Sequence, residues 1–192
     1  MSDLLDEMGR RLIHRRSVEC LGYLRPDGLW DIEGRLNDSK THAVPLSTEG
    51  RIVAAGQTYH GMLLRLTLDD EFIIREVQVG MSAAPTRECP GALPAYQKLV
   101  GERIGPGFSR RIRELFGGVG GCIHLSELLL PIATTAFQTI PMARALVAPR
   151  DQHDGEAYQR ATSRLVNTCH ALREAGPIAL AMQGPPVSAL DD

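Results

Sequence analysis

Two stretches alternate apolar and polar side chains with a period of two, and each is broken by a turn signal. That pattern commits the first half of this 192-residue chain to antiparallel hairpins. In the first stretch, residues 17–24 lead into Pro26-Asp27-Gly28, after which Trp30, Ile32, Gly34 and Leu36 alternate with Asp31, Glu33, Arg35 and Asn37. In the second, Met62, Leu64, Leu66 and Leu68 alternate with Leu63, Arg65 and Thr67, Asp69-Asp70 make the turn, and residues 72–79 return. Residues 38–58 lack sustained periodicity and read as a long connection holding at most a short strand at 51–55. Four antiparallel strands result, and their aliphatic face must be covered, because an open apolar sheet face is an aggregation surface.

The cover comes from the second half. Residues 81–94 read as loop, and helical patterning follows over 95–102, 108–116 and, after Gly117-Gly118-Val119-Gly120-Gly121, from Ile123 to about Gln138. In that helix Leu125, Leu128, Leu129, Ile132, Ala136 and Phe137 fall near one face, and Pro131 marks a kink. A last amphipathic helix is expected over 156–174, stopped by Gly176-Pro177. Strands first and helices after predict an α+β fold: an antiparallel sheet of about four strands covered on one face by C-terminal helices. The size suits one domain over 1–183, with 184–192 as a tail.

A formal net charge of −2 gives no general reason to bind nucleic acid or acidic membranes. No apolar run reaches the roughly 18 residues that a membrane helix needs, and the acidic start Met1-Ser2-Asp3 does not read as a secretory signal. The cytoplasm is the expected compartment. Cysteines at 20, 89, 122 and 169 are scattered and form no disulfide framework. Cys20, inside a strand, and Cys169, on the last helix, read as core, with His170 exposed, and Asp31, Glu33 and Asp38 read as an exposed acidic strand face. His14-Arg15-Arg16 offers a weak anion site, against the plainer reading of a solvated strand entrance. The glycine run before residue 123 lacks the Lys-Ser/Thr ending of a nucleotide loop.

The residues that carry chemistry sit at element ends. Cys122 follows two glycines and precedes a helix, where the helix dipole lowers a thiol pKa. His124 lies two residues on. In regular helix the two side chains diverge by about 200°, so the cap geometry decides whether they share a centre. His60 opens the second hairpin and Cys89 follows it in a turn with Pro90-Gly91, so both lie at the same open end. Thiolate and imidazole together suit zinc or an iron–sulfur unit. The plain alternative makes Cys122 a buried small residue and His124 a hydrogen-bonded helix-start histidine.

The run from Gly22 to Leu36, with Cys89-Pro90-Gly91 and Gly121-Cys122-Ile123-His124-Leu125, resembles the bacterial family called domain of unknown function 2889, from about His14 to Gln138. That family brings no established activity. A more remote likeness runs from His60 to Glu76, which is similar to the hairpin of iron–sulfur cluster assembly scaffolds of the NifU/IscU type. There His60 falls where the scaffold has an aspartate, Cys89 matches the second cysteine, and Ile123-His124-Leu125-Ser126 partly matches a His-Cys-Ser helix start. Thr58 replaces the first scaffold cysteine and Leu125 the third, with Cys122 nearby. The likeness implies a SufE/NifU-like fold and a site that handles metal or metallocluster.

The expectation is therefore a metal-binding protein, scaffold or carrier rather than enzyme, with Cys89, Cys122, His124 and His60 as ligands. Zinc is the expected ion and an iron–sulfur cluster the alternative. Two other classes compete. In one, Cys89 or Cys122 is a thiol that accepts sulfur or acyl groups. In the other, the chain is an anion- or protein-binding module without metal. A protein partner fits the carrier reading; nucleic acid and membrane do not.

Overall fold

The structure, a computed structural model, describes residues 9–146, 163 and 165–182. Both hairpins form. Strands β1 (His14–Leu24) and β2 (Trp30–Lys40) pair antiparallel; a small two-stranded ribbon, β3 (Val44–Leu46) with β4 (Arg51–Val53), interrupts the long connection; β5 (Thr58–Leu68) and β6 (Ile74–Ala83) form the second hairpin. Pairing of β2 with β5 completes an antiparallel sheet of order β1-β2-β5-β6. At the first turn the Gly28 amide donates to the Arg25 carbonyl at 3.1 Å, and Gly28 takes φ 82°, a left-handed value that costs glycine little. At the second, Asp69 Oδ1 accepts from the amides of Glu71 and Ile73, both at 2.9 Å.

The alternation read from sequence sets the buried face. Trp30, Ile32, Leu36, Leu64, Leu66, Leu68 and Ile74 are buried, each worth about 1.5–3 kcal/mol relative to exposure. On the cover side lie a 3-10 segment (Cys89–Leu99), helix α1 (Phe108–Phe116) and, as far as Ala133, helix α2 (Ile123–Leu146). The 3-10 segment stands where a loop and then a helix over 95–102 were expected. Pro90 and Pro94 have no N–H to donate, which disfavours a continuous α-helical ladder there. Phe108, Ile112 and Phe116 give α1 its buried face. Gly34 lets α2 come close to the sheet: a Cβ there would meet Ile132 Cδ1 at 2.6 Å and Cγ1 at 2.8 Å.

Helix α2 passes through Pro131 and beyond the end expected near Gln138, with Leu125, Leu128, Leu129, Ile132, Ala136 and Ile140 all buried. That apolar stripe outweighs the donor missing at Pro131. The chain divides into two compact units, Met1–Ala133 and Thr134–Asp192. In the second, Ser163 is helical, but residues 165–174, where the helix expected over 156–174 would continue, make turns and bends, with Asn167 at φ 62°. The Asn167 amide donates to the Leu172 carbonyl at 2.8 Å, and its side-chain oxygen accepts from the Glu174 amide at 2.9 Å. Asparagine tolerates that left-handed conformation and closes the turn locally. The rest of the expected helix and the tail 184–192 lie outside the described residues. Pro177, expected as a stop, instead opens a short helix, α3 (Pro177–Met182), consistent with proline's fitness for a first helical position.

Two cysteines expected in the core are not there. Cys20 is only half-buried, because β1 is an edge strand, and Cys169 is exposed among the turns. Among the described residues no helix is long and apolar enough to cross a membrane.

Candidate metal centre

One cross-strand row of the sheet builds the site. Arg16 of β1 pairs with Asp38 of β2, and Asp38 pairs with His60 of β5. Continuing the period of two from Trp30 through Ile32, Gly34 and Leu36 puts Asp38 on the buried face, and it is fully buried. This corrects the expectation of an exposed acidic face, from which Asp31 and Glu33 also depart by being half-buried. A buried carboxylate needs partners, because an unpaired one is costly to desolvate.

Asp38 has them on both oxygens. Arg16 donates bidentately, Nε to Oδ1 and Nη2 to Oδ2, both at 2.8 Å, while its Nη1 donates to Glu127 of α2 at 2.6 Å. His60 Nδ1 lies 3.0 Å from Oδ2, and His14 Nε2 lies 3.4 Å from Oδ1. An ionised carboxylate only accepts, so His60 carries a proton on Nδ1 in this arrangement. Burial pushes the Asp38 carboxyl up. The hydrogen bonds from Arg16 and His60, with the charges of Arg16 and His14, outweigh it and bring the pKa from 3.8 down to about 2.

His124 reaches the row from the first turn of α2. Its Nε2 is 3.8 Å from Asp38 Oδ2, and its ring stacks on His60 with centroids 3.8 Å apart and an interplanar angle of 30°. Burial lowers both imidazole pKa values. For His60 the neighbouring His124 adds to the effect against the pull of Asp38; for His124 the Arg16 charge adds to it. Both rings thus favour the neutral form, the form that ligates metal.

The start of α2 is held by Tyr96, fully buried and stacked on Phe116 with centroids 4.4 Å apart. The Tyr96 hydroxyl donates to the Cys122 carbonyl at 2.7 Å, accepts from the Cys122 amide at 3.1 Å and shares a hydrogen bond with Ser126 Oγ at 2.8 Å. Gly121 leaves room for this clamp, since a Cβ there would meet Phe116 Cβ at 2.9 Å and the Tyr96 hydroxyl at 3.1 Å.

One carboxylate oxygen of Asp38 and one ring nitrogen each of His60 and His124 lie within 4.8 Å of one another. A tetrahedral zinc with bonds of about 2.0–2.1 Å sets its donors roughly 3.3 Å apart, so a bound ion would draw the rings inward by small rotations. The four residues singled out from sequence all line one cavity of about 410 Å³, together with Met62, Pro85, Ala92 and Ile123. Their roles in it differ. His60 and His124 are in the cluster, whereas Cys122 Sγ is 3.9 Å from His124 Nδ1 and the Cys89 thiol is paired with the Thr86 hydroxyl at 3.2 Å. Of the suggested anion set, Arg16 is engaged by Asp38 and Glu127, His14 faces Asp38 and lies 3.0 Å from Lys40 Nζ, and Arg15 is exposed.

A buried Asp38 carboxylate, flanked in one row by Arg16 and His60 and capped by a second histidine, thus marks an α+β protein with a candidate metal centre. Family comparison places it further: the profile described as Protein of unknown function (DUF2889) matches residues 14–138, and the chain belongs to that family. Every residue of the row and its cap falls inside the matched span. No curated protein and no solved structure matches, so the expected likeness to the cluster scaffolds is not shown.

Proposed function

We propose that the protein binds a divalent metal ion, zinc being the best fit, through Asp38, His60 and His124. The observation that carries this reading is the convergence of those three donors around a fully buried carboxylate. A cation at this cluster competes with protonation of the two imidazoles, so binding releases protons where the rings are charged and strengthens as pH rises through the histidine range. Arg16, itself held by Glu127, fixes the carboxylate in place, the kind of supporting layer that orients metal ligands in many sites. One oxygen and two nitrogen donors suit zinc or ferrous iron; an iron–sulfur cluster asks for thiolates, and the Cys89 thiol is turned to Thr86.

Elemental analysis of protein purified without chelator or histidine tag, followed by zinc titration, tests the reading. About one equivalent per chain is expected, lost in His60→Ala and His124→Ala and retained in Cys89→Ser. Zinc uptake that ignores both histidine substitutions would refute it.

A second reading is favoured by one contact. Cys122 Sγ lies 3.9 Å from His124 Nδ1, whose other nitrogen faces Asp38, an arrangement able to activate a thiol as an acceptor. It predicts fast iodoacetamide labelling at Cys122, slowed by His124→Ala, and no stoichiometric metal.

A further inference from the structure

Three protein donors leave at least one position of a four-coordinate ion open, and open positions are where metal sites take up small molecules. The His60 and His124 side chains that would hold the ion also form part of the wall of the 410 Å³ cavity, which falls within the roughly 300–1,000 Å³ range of small-ligand sites. Met62, Pro85, Ala92 and Ile123 give the wall its apolar side chains, Thr86, Cys89 and Cys122 also line it, and its one acidic side chain, Glu88, is exposed. The first residues of the 24-residue helix α2, Ile123 and His124, also line the cavity, so the positive end of that helix borders it. A cation and a helix N-terminus, with those apolar side chains in the same wall, select an anionic head on an apolar body.

We infer that this cavity binds a small organic anion, its carboxylate-like head on the open position of the metal and its short aliphatic or aromatic body against Met62, Pro85, Ala92 and Ile123. The inference rests on the metal reading and names the ligand class for that same site.

Cobalt(II) in place of zinc makes the site visible, and acetate and hexanoate then serve as probes that share a head and differ in body. Hexanoate should perturb the cobalt absorption bands at about a tenfold or greater lower concentration than acetate, since each buried methylene adds affinity. Ala92→Phe, which fills the cavity, should erase that preference while cobalt still binds. Ile123→Ser, at a wall position that is 68% exposed and so tolerant in the fold, should weaken hexanoate several-fold and leave acetate unchanged. If cobalt binds but the two acids act alike, or both variants keep the hexanoate preference, the inference falls and the metal centre stands. If cobalt does not bind, the metal reading falls and takes the inference with it.

Discussion

Replacing Asp38 by Asn probes the keystone of the site with almost no change in shape. In the folded protein the carboxyl titrates at about 2 instead of 3.8, a difference that stabilises the fold by about 2–3 kcal/mol at neutral pH. The sign follows from the depressed value: this stability is present above the unfolded pKa and is lost as pH falls through the folded one. Linkage places about 1 kcal/mol of the loss between pH 6 and pH 3. The variant also leaves the Arg16 guanidinium with Glu127 as its remaining carboxylate partner, and removing one member of a buried pair costs about 3–5 kcal/mol. Because Arg16 is about a third exposed, solvent reduces that cost, and we expect Asp38→Asn to lower stability by about 2–4 kcal/mol at pH 7. Urea unfolding followed by fluorescence of Trp30, the single tryptophan and a buried one, reads this directly in protein kept metal-free by chelator. The gap between wild type and variant should narrow by about 1 kcal/mol from pH 6 to pH 3. A gap that stays constant or widens over that range would refute the assignment of Asp38 as the ionised centre of the row.

Further predictions follow from the same geometry. With both imidazole pKa values lowered from 6.5, the pH midpoint of zinc uptake should fall below 6.5, and potentiometric or calorimetric titration at pH 5.5–7.5 checks it. Gly34→Ala should cost about 1–3 kcal/mol in urea unfolding, because its methyl collides with the fully buried Ile132, and should weaken zinc binding by displacing the α2 start. Tyr96→Phe removes the hydroxyl that holds Cys122 and Ser126; a loss of about 1–3 kcal/mol is expected, with faster amide exchange at Cys122 as the local signature.

Much of this architecture is legible in the sequence, and the losses have physical reasons. Both hairpins and α1 follow from periodicity and turn chemistry, whereas His60 and His124 stand out by residue type at element ends and it is the fold that stacks their rings. Asp38 escapes a reading that takes charge as a sign of exposure, although the phase set by Trp30, Ile32, Gly34 and Leu36 assigns it to the buried face. A charge at a buried-phase position is the available signal, and the register Arg16–Asp38–His60 explains how the fold tolerates it. Cys89 and Cys122 stand out by residue type, yet type does not say where a sulfur points; Thr86 and the Tyr96 clamp decide that in three dimensions. Residues 165–174 keep helical spacing in sequence, but the Asn167 turn overrides it.

X-ray absorption at the zinc edge of the loaded protein tests the central claim most directly, because oxygen or nitrogen and sulfur scatter at different distances. An Asp38/His60/His124 centre predicts a first shell of light donors alone at about 2.0–2.1 Å. A sulfur shell at about 2.3 Å would instead assign the ion to Cys89 or Cys122 and contradict a centre built on Asp38.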